Sequence, residues 1–330
     1  MISIIVPVYN AQSVLNRCVA CLLAQQGCGE TQIILVNDGS TDDSPRLCDE
    51  LAVYHRNITV IHRQNGGPSA ARNTGLQAAT GEFVMFVDCD DTIAHTTCAA
   101  LLDAQTQTDS QLVVYGYNNV TGGKVSAVSF GSHLFTNRSQ LAHQFASLYV
   151  QFFFNSVCNK LYLRRLITTA FPHDKNLGED LQFNLAYLQN CYTIVVLPQC
   201  FYNYIHENAD GLTLQYRDDK FDLALQVYDM VDDFCRGFFG PNFVNNGNDA
   251  ILVGDVMRTI QRYVFCSPDG FWTKYRQIRH WMKHPRVMAA AKGMYTGTPV
   301  FMGLKAAFTL RCAFFVLLCF EVQKLVKKLR

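Results

Sequence analysis

Four short apolar runs in the first third of the chain, Ile2–Val8, Ile33–Val36, Ile58–Ile61 and Phe83–Val87, limit what it can fold into. Each is too short for a helix and rich in β-branched residues, the pattern of strands buried on both faces of a parallel sheet. Between them the period changes. Val14, Leu15, Cys18, Val19 and Leu22, then Leu47, Leu51 and Tyr54, recur at the spacing of a helix with one buried side. The alternation βαβαβαβ predicts a doubly wound α/β domain whose ligand sits beyond the carboxyl ends of the strands. The residues after each run are therefore the ones to read for chemistry.

Further along, Leu112–Ser129 reads as strands around a Gly122-Gly123 turn, and Gln140–Phe154 as a helix. Leu177–Asn190 reads as a loop entering a helix, and Thr193–Leu197 and Phe201–Ile205 as two more strands. Beyond Asp218 the pattern is helical, over Asp218–Phe239, Asp249–Phe265 and Phe271–His284. The expected division is an α/β domain over residues 1–215, where any ligand-binding loops would lie, and a helical region over 216–330.

Bulk properties narrow the class. A chain of 330 residues, 49% hydrophobic and 17% charged, is globular, and a net charge of +1 gives no global field for nucleic acid. Its 13 cysteines are scattered, with one C-x-x-C, Cys18-Val19-Ala20-Cys21, and no second to pair with it as a metal site would need, so they read as reduced, mostly buried thiols of a cytosolic protein. The opening Met1–Pro7 has no basic region and is too short for a secretory signal, so the catalytic part is expected to stay inside the cell.

After the first run stands Pro7-Val8-Tyr9-Asn10, with neither G-x-G-x-x-G nor a P-loop ending. Tyr9 could stack on a base and Asn10 could cap the next helix, or the segment is a plain strand-to-helix turn. After the second run, Ser40, Thr41 or Asp42 can cap a helix carrying Pro45 in its first turn. Asp38, at the strand's end, is a carboxylate able to accept the imide N–H of uracil, or a structural turn residue. After the third run, Asn65-Gly66-Gly67-Pro68-Ser69-Ala70-Ala71-Arg72 leads glycines and small residues into a helix. Its N-terminus favours an anion, with a surface salt bridge as the plain alternative for Arg72. After the fourth come Asp88, Asp90 and Asp91, three carboxylates within four residues. Such crowding is unfavourable unless a cation or several donors compensate. Hard oxygen ligands suit magnesium or manganese. The residues assign the metal to Asp90, the ribose and base side to Asp88, and a helix cap to Asp91. Glu179-Asp180 opens a further helix, where a carboxylate pair complements the dipole or does catalysis.

These residues resemble the inverting GT-A glycosyltransferases of glycosyltransferase family 2. The likeness runs through S-I-I-V-P-V-Y-N at Ser3–Asn10, V-N-D-G-S-T-D at Val36–Asp42, N-G-G-P-S-A-A-R-N at Asn65–Asn73, G-E-F-V-M-F-V-D-C-D-D at Gly81–Asp91 and G-E-D at Gly178–Asp180. It covers about residues 1–206 and implies a GT-A fold, Rossmann-like and mostly parallel, followed by a helical extension. It further implies that Val8, Tyr9 and Asp38 hold the uracil of a UDP-sugar, and that Pro7, Gly67 and Arg72 help hold this donor. Asp88 and Asp90 would form the D-x-D motif around manganese or magnesium, and Asp180, with Glu179 beside it, would be the base. The implied reaction is hexosyltransferase-like, onto a glycan or lipid-linked acceptor in bacterial surface polysaccharide synthesis. Two departures stand out. Where the family has an aromatic strand ending in Arg or Lys, this chain has Tyr202-Asn203-Tyr204-Ile205-His206, leaving His206 as the sole candidate cation there. The Q-x-x-R-W motif and spanning helices of membrane synthases are missing, which disfavours processive synthesis. Nucleotidyltransferases share the core but carry a glycine-rich basic loop after the first strand. A non-catalytic nucleotide-sugar binder is the other rival.

At the C-terminus, Leu304, Phe308, Phe315, Leu318, Val322, Leu325 and Leu329 recur at helical spacing. The apolar run Cys312–Phe320, bounded by Arg311, falls short of the ~20 residues that span a bilayer. Lys324, Lys327, Lys328 and Arg330 gather at the end. The segment 301–330 is thus expected to lie in the membrane interface at the inner face of the cell membrane. The alternative is packing on the protein's own core or against a second subunit of a homodimer.

Overall fold

The computed structural model describes residues 1–172, 178–206, 217–294, 299–310 and 312–329. The four apolar runs become β1 (Ile2–Val8), β2 (Thr31–Asp38), β3 (Ile58–Arg63) and β4 (Phe83–Phe86). They lie in the order β3-β2-β1-β4, all parallel, so Ile4, Ile5, Ile33, Ile34, Val84 and Met85 are sealed between two layers of helices. Those helices are α1 (Leu15–Leu23), α2 (Ser44–Tyr54) and α3 (Gly67–Ala78).

Beyond β4 the same sheet continues as a mixed one. After β5 (Thr92–Ile93) and α4 (Thr97–Thr108) come β6 (Leu112–Thr121), β7 (Lys124–Val128), β8 (His133–Phe135), α5 (Arg138–Val150), β9 (Lys160–Leu163), α6 (Glu179–Gln189) and β10 (Ile194–Ile205). β9 runs antiparallel between β4 and β6, and β10 lies parallel to β6. Two expectations are corrected. The stretch expected as two strands is the single strand β10, with register shifts around Cys200 where Pro198 and Gln199 turn outward. The residues after Asp91 form β5 and not a helix, because Asn203 and Tyr202 pair with Thr92 and Ile93.

The described residues divide into two compact units, one of residues 1–141 and 151–208, the other of 142–150 and 209–330. The boundary expected near residue 215 falls outside the described residues. In the second unit α7 (Lys220–Phe239), α8 (Asn246–Cys266), α9 (Phe271–Met282), α10 (Pro285–Gly293), α11 (Pro299–Thr309) and α12 (Ala313–Leu329) enclose a core that includes Val256, Ile260, Ile278, Val287, Phe308 and Leu317. Among the described residues no helix is long and apolar enough to cross a membrane.

Candidate active site

The loops after β1 and β2 are laced together by short polar side chains. Asn10 takes a left-handed backbone (φ 49°), its N–H donates to Ser40 Oγ at 3.0 Å, and its Oδ1 accepts from the Thr41 N–H at 2.8 Å. Asn10 is thus a loop clasp and not a helix cap, and α1 starts five residues later with no side-chain cap. Asp42 Oδ1 accepts from the Ser44 N–H at the start of α2. Val8 is buried at the end of β1 while Tyr9 beside it stands half exposed.

Asp38 is buried and saturated with donors. It receives the Gly66 N–H at 3.1 Å, the Gly67 N–H at 2.7 Å, and Arg63. Gly67 has φ +82°, a conformation a side chain would strain, and this turns its amide toward Asp38.

A second cluster forms across three elements. Arg72, one turn into α3, is 5% exposed and donates from one terminal nitrogen to Asp180 Oδ1 at 2.8 Å and from the other to Asp88 Oδ1 at 2.9 Å. Its guanidinium lies 5.5 Å from the ring centre of Phe171. It is a buried clamp between two carboxylates and not the surface salt bridge weighed above. Burial pulls its pKa down, but Asp180 and Asp88 outweigh that and hold it above the ordinary value. Asp180 stands in the first turn of α6, whose N-cap Gly178 has φ +81°, a left-handed turn into the helix. Burial raises the Asp180 carboxyl to about 6, against the pull of Arg72. Glu179 stands next to it in the same first turn.

Asp91 does not cap a helix. It is buried, accepts from the Tyr202 hydroxyl at 2.7 Å and the Ile205 N–H at 2.8 Å, and so ties the loop after β4 to β10. Burial, then Asp88, push it to about 8, so at neutral pH it is largely protonated. The like-charge crowding at residues 88–91 is thereby reduced to Asp88 and Asp90. The residue Asp90 is exposed as a whole, but partial desolvation of its carboxyl, then Asp88, raise its pKa against the pull of Arg17 and His206. His206 lies close enough for its charge to favour ionised Asp90, and its ring meets Asn119 Oδ1 at 3.3 Å.

The residues that support this cluster have only faint sequence signals. Lys160 is fully buried at the start of β9. Its ammonium donates to Phe153 O at 2.5 Å, Ser156 O at 2.6 Å and Asn159 Oδ1 at 2.8 Å. Desolvation lowers it to about 7. Asn184 on α6 donates to Phe154 O and Ser156 O, and the Val157 N–H of the same loop donates to Asp180. The Tyr202 hydroxyl also receives the Asp88 N–H at 3.1 Å.

Among the described residues no three His, Cys, Asp or Glu side chains converge on one point. Magnesium and manganese need no such cage when a diphosphate and water complete the shell, since one or two carboxylates suffice. Asp90, under-compensated and open to solvent beside Asp88, fits that role.

The comparisons place this geometry in a class. S. aureus TarS, residues 1–349 in complex with UDP, matches with a TM-score of 0.62 and 19% identity over 98% of this chain and 91% of that one, which establishes the GT-A fold. The model for glycosyl transferase family 2 matches residues 3–171, and the chain belongs to that family. The uncharacterized glycosyltransferase EpsJ of Bacillus subtilis is 32% identical over 218 residues, 64% of this chain and 63% of EpsJ. The poly(ribitol-phosphate) beta-glucosyltransferase of Bacillus spizizenii is 32% identical over 132 residues, 39% of this chain and 21% of that enzyme. The chain thus spans less than two thirds of either relative's length.

Proposed function

We propose that this chain moves a sugar from a UDP-sugar to an acceptor hydroxyl with inversion at the anomeric carbon. The acceptor would be a glycan or lipid-linked precursor of a bacterial surface polymer. The observation that carries the reading is the Arg72 clamp, which brings Asp180 and Asp88, 92 residues apart in sequence, onto one buried cation. A carboxyl raised to about 6 is ionised at neutral pH yet basic enough to take a proton. Asp180 would remove the acceptor's hydroxyl proton as that oxygen bonds to the anomeric carbon. The bond to the diphosphate oxygen breaks on the opposite face, and the nucleoside diphosphate leaves with its electron pair.

Asp90 and Asp88 would hold a divalent cation of the magnesium or manganese kind, which when bound supplies positive charge to the departing diphosphate. His206 would add charge on the same side. Tyr9 stands exposed, where a base can stack on it. Support for uridine comes from the UDP complex of TarS, and support for a surface polymer from the poly(ribitol-phosphate) relative.

The test is release of UDP from a panel of UDP-sugars, with manganese, magnesium or chelator, in the presence of teichoic-acid and lipid-linked acceptors. The anomeric configuration of the product is read by NMR. Donor binding without turnover on any acceptor would make the chain a binder, and a retained configuration would overturn the single displacement.

A further inference from the structure

The net charge of +1 conceals a strong division along the chain. Residues 271–330 contain twelve Lys and Arg against one carboxylate, Glu321, for a net +11. The 270 residues before them hold 16 basic and 26 acidic residues, for a net −10. Within the basic segment Arg276, Arg279 and Lys283 are exposed at helical spacing on α9 and just past its end. The one carboxylate, Glu321, is already engaged with Lys274.

α12 is apolar on two sides. Ala313, Val316 and Leu317 are buried in the helical core, and Lys324 reaches back to Val264 O at 3.0 Å. Phe314, Phe315, Leu318, Val322, Leu325 and Val326 face outward, 45–63% exposed. At about 100° per residue these six fall within an arc of about 120°, the width of a buried helix face but turned to solvent. The surface continues onto α9, where Phe271 and Tyr275 meet the Phe314 ring edge-on and Trp272 is 65% exposed. The packing alternative is met by one side of α12, while the opposite side leaves an apolar face in solvent. Of the residues behind that reading, Arg311 and Arg330 and the side chains of Phe301, Leu304, Lys327, Lys328 and Leu329 lie outside the described residues.

We propose that the outward face of α12, with Trp272 and the exposed basic side chains of α9, is a docking surface for an anionic phospholipid bilayer. Apolar side chains enter the acyl boundary while Lys and Arg meet the headgroups. The charge selects this occupant. A second copy docking by the same face would bring the exposed Arg276, Arg279 and Lys283 against their own copies, a like-charge contact that opposes an isologous pair. This deepens the proposed function by naming a surface on which a lipid-linked acceptor would be met, but it concerns binding alone.

The experiment is flotation of the full chain, without donor or acceptor, with vesicles of phosphatidylcholine or of equal parts phosphatidylcholine and phosphatidylglycerol. Its failure therefore leaves the transfer chemistry untouched. Binding is expected to the anionic vesicles, at least tenfold stronger than to the neutral ones, and weaker at high salt. Phe315→Glu with Leu318→Glu should abolish it, with the melting temperature and UDP release retained. Arg276→Glu with Arg279→Glu should lessen it and flatten the salt dependence. Absence of flotation by the folded wild type overturns the proposal. So does a concentration-dependent dimer that the Phe315/Leu318 variant breaks, or capture by soluble teichoic acid and not by vesicles.

Discussion

Asp38 and Asp90 both stand at the carboxyl ends of parallel strands, Asp38 as the last residue of β2 and Asp90 four residues past β4, yet their surroundings differ in kind. Asp38 is buried and receives two backbone amides and Arg63. Asp90 is exposed as a residue, and partial desolvation of its carboxyl together with its neighbour Asp88 raises its pKa. The first carboxylate is satisfied by the protein and contributes to holding two loops. The second is not fully compensated by Arg17 and His206, which is the ground for the divalent cation proposed there.

Four measurements would sharpen or break that contrast. The largest effect is expected outside the pair, at the proposed base. Asp180→Asn should lower kcat by roughly 10²–10⁴-fold with donor KM little changed, because the amide cannot take a proton. A rate near wild type would move the base elsewhere. Asp90→Ala should lower metal-stimulated UDP release by on the order of 10²-fold, from the loss of charge stabilisation at the diphosphate. Chelator should then have little further effect, and a variant that still responds fully to manganese would place the cation elsewhere.

The pH dependence comes next. Since Asp180 must be ionised to act and its carboxyl sits at about 6, kcat/KM should be level above that value and fall about tenfold per unit below it. The Asp180→Asn variant should lack this limb. The smallest effect separates the two carboxylates by sign. Asp38→Ala leaves three donors without their acceptor and should destabilise the fold by about 1–3 kcal/mol. Asp90→Ala removes a like-charge contact with Asp88 and should leave the melting temperature unchanged or raised. Equal falls in both melting temperatures would erase the distinction.

The fold was legible where burial is two-sided. β1, β2 and β4 announce themselves because both faces are covered and their centres are continuous apolar runs, and the doubly wound arrangement followed from the alternation, with the GT-A form coming from the family resemblance. Legibility faded where long-range pairing overrides local pattern. Pro198-Gln199-Cys200 looks like a break between strands, but the partner β6 carries the chain across it as a bulge. Thr92 looks like a helix start, but Asn203 pairs with it. Around the site, the motif carboxylates and Arg72 could be named from sequence, whereas Arg63 and the supporting Lys160 could not. Lys160 sits in a short strand where a charge argues against burial. Only the fold brings Phe153 O, Ser156 O and Asn159 Oδ1 to its ammonium. Arg63 lies two residues past the apolar run that marked β3, and nothing local ties it to Asp38.

The Arg72 clamp also bears on how this chain can vary over generations. Three positions on separate elements answer to a single guanidinium, so the effect of changing Asp88 depends on whether Asp180 is present, and the reverse. Losing either carboxylate leaves a buried cation half-matched, and losing Arg72 leaves two anions facing each other. The three residues are therefore expected to behave epistatically. Single replacements would be purged even where a compensated set would work, and drift at this node would be confined to simultaneous change.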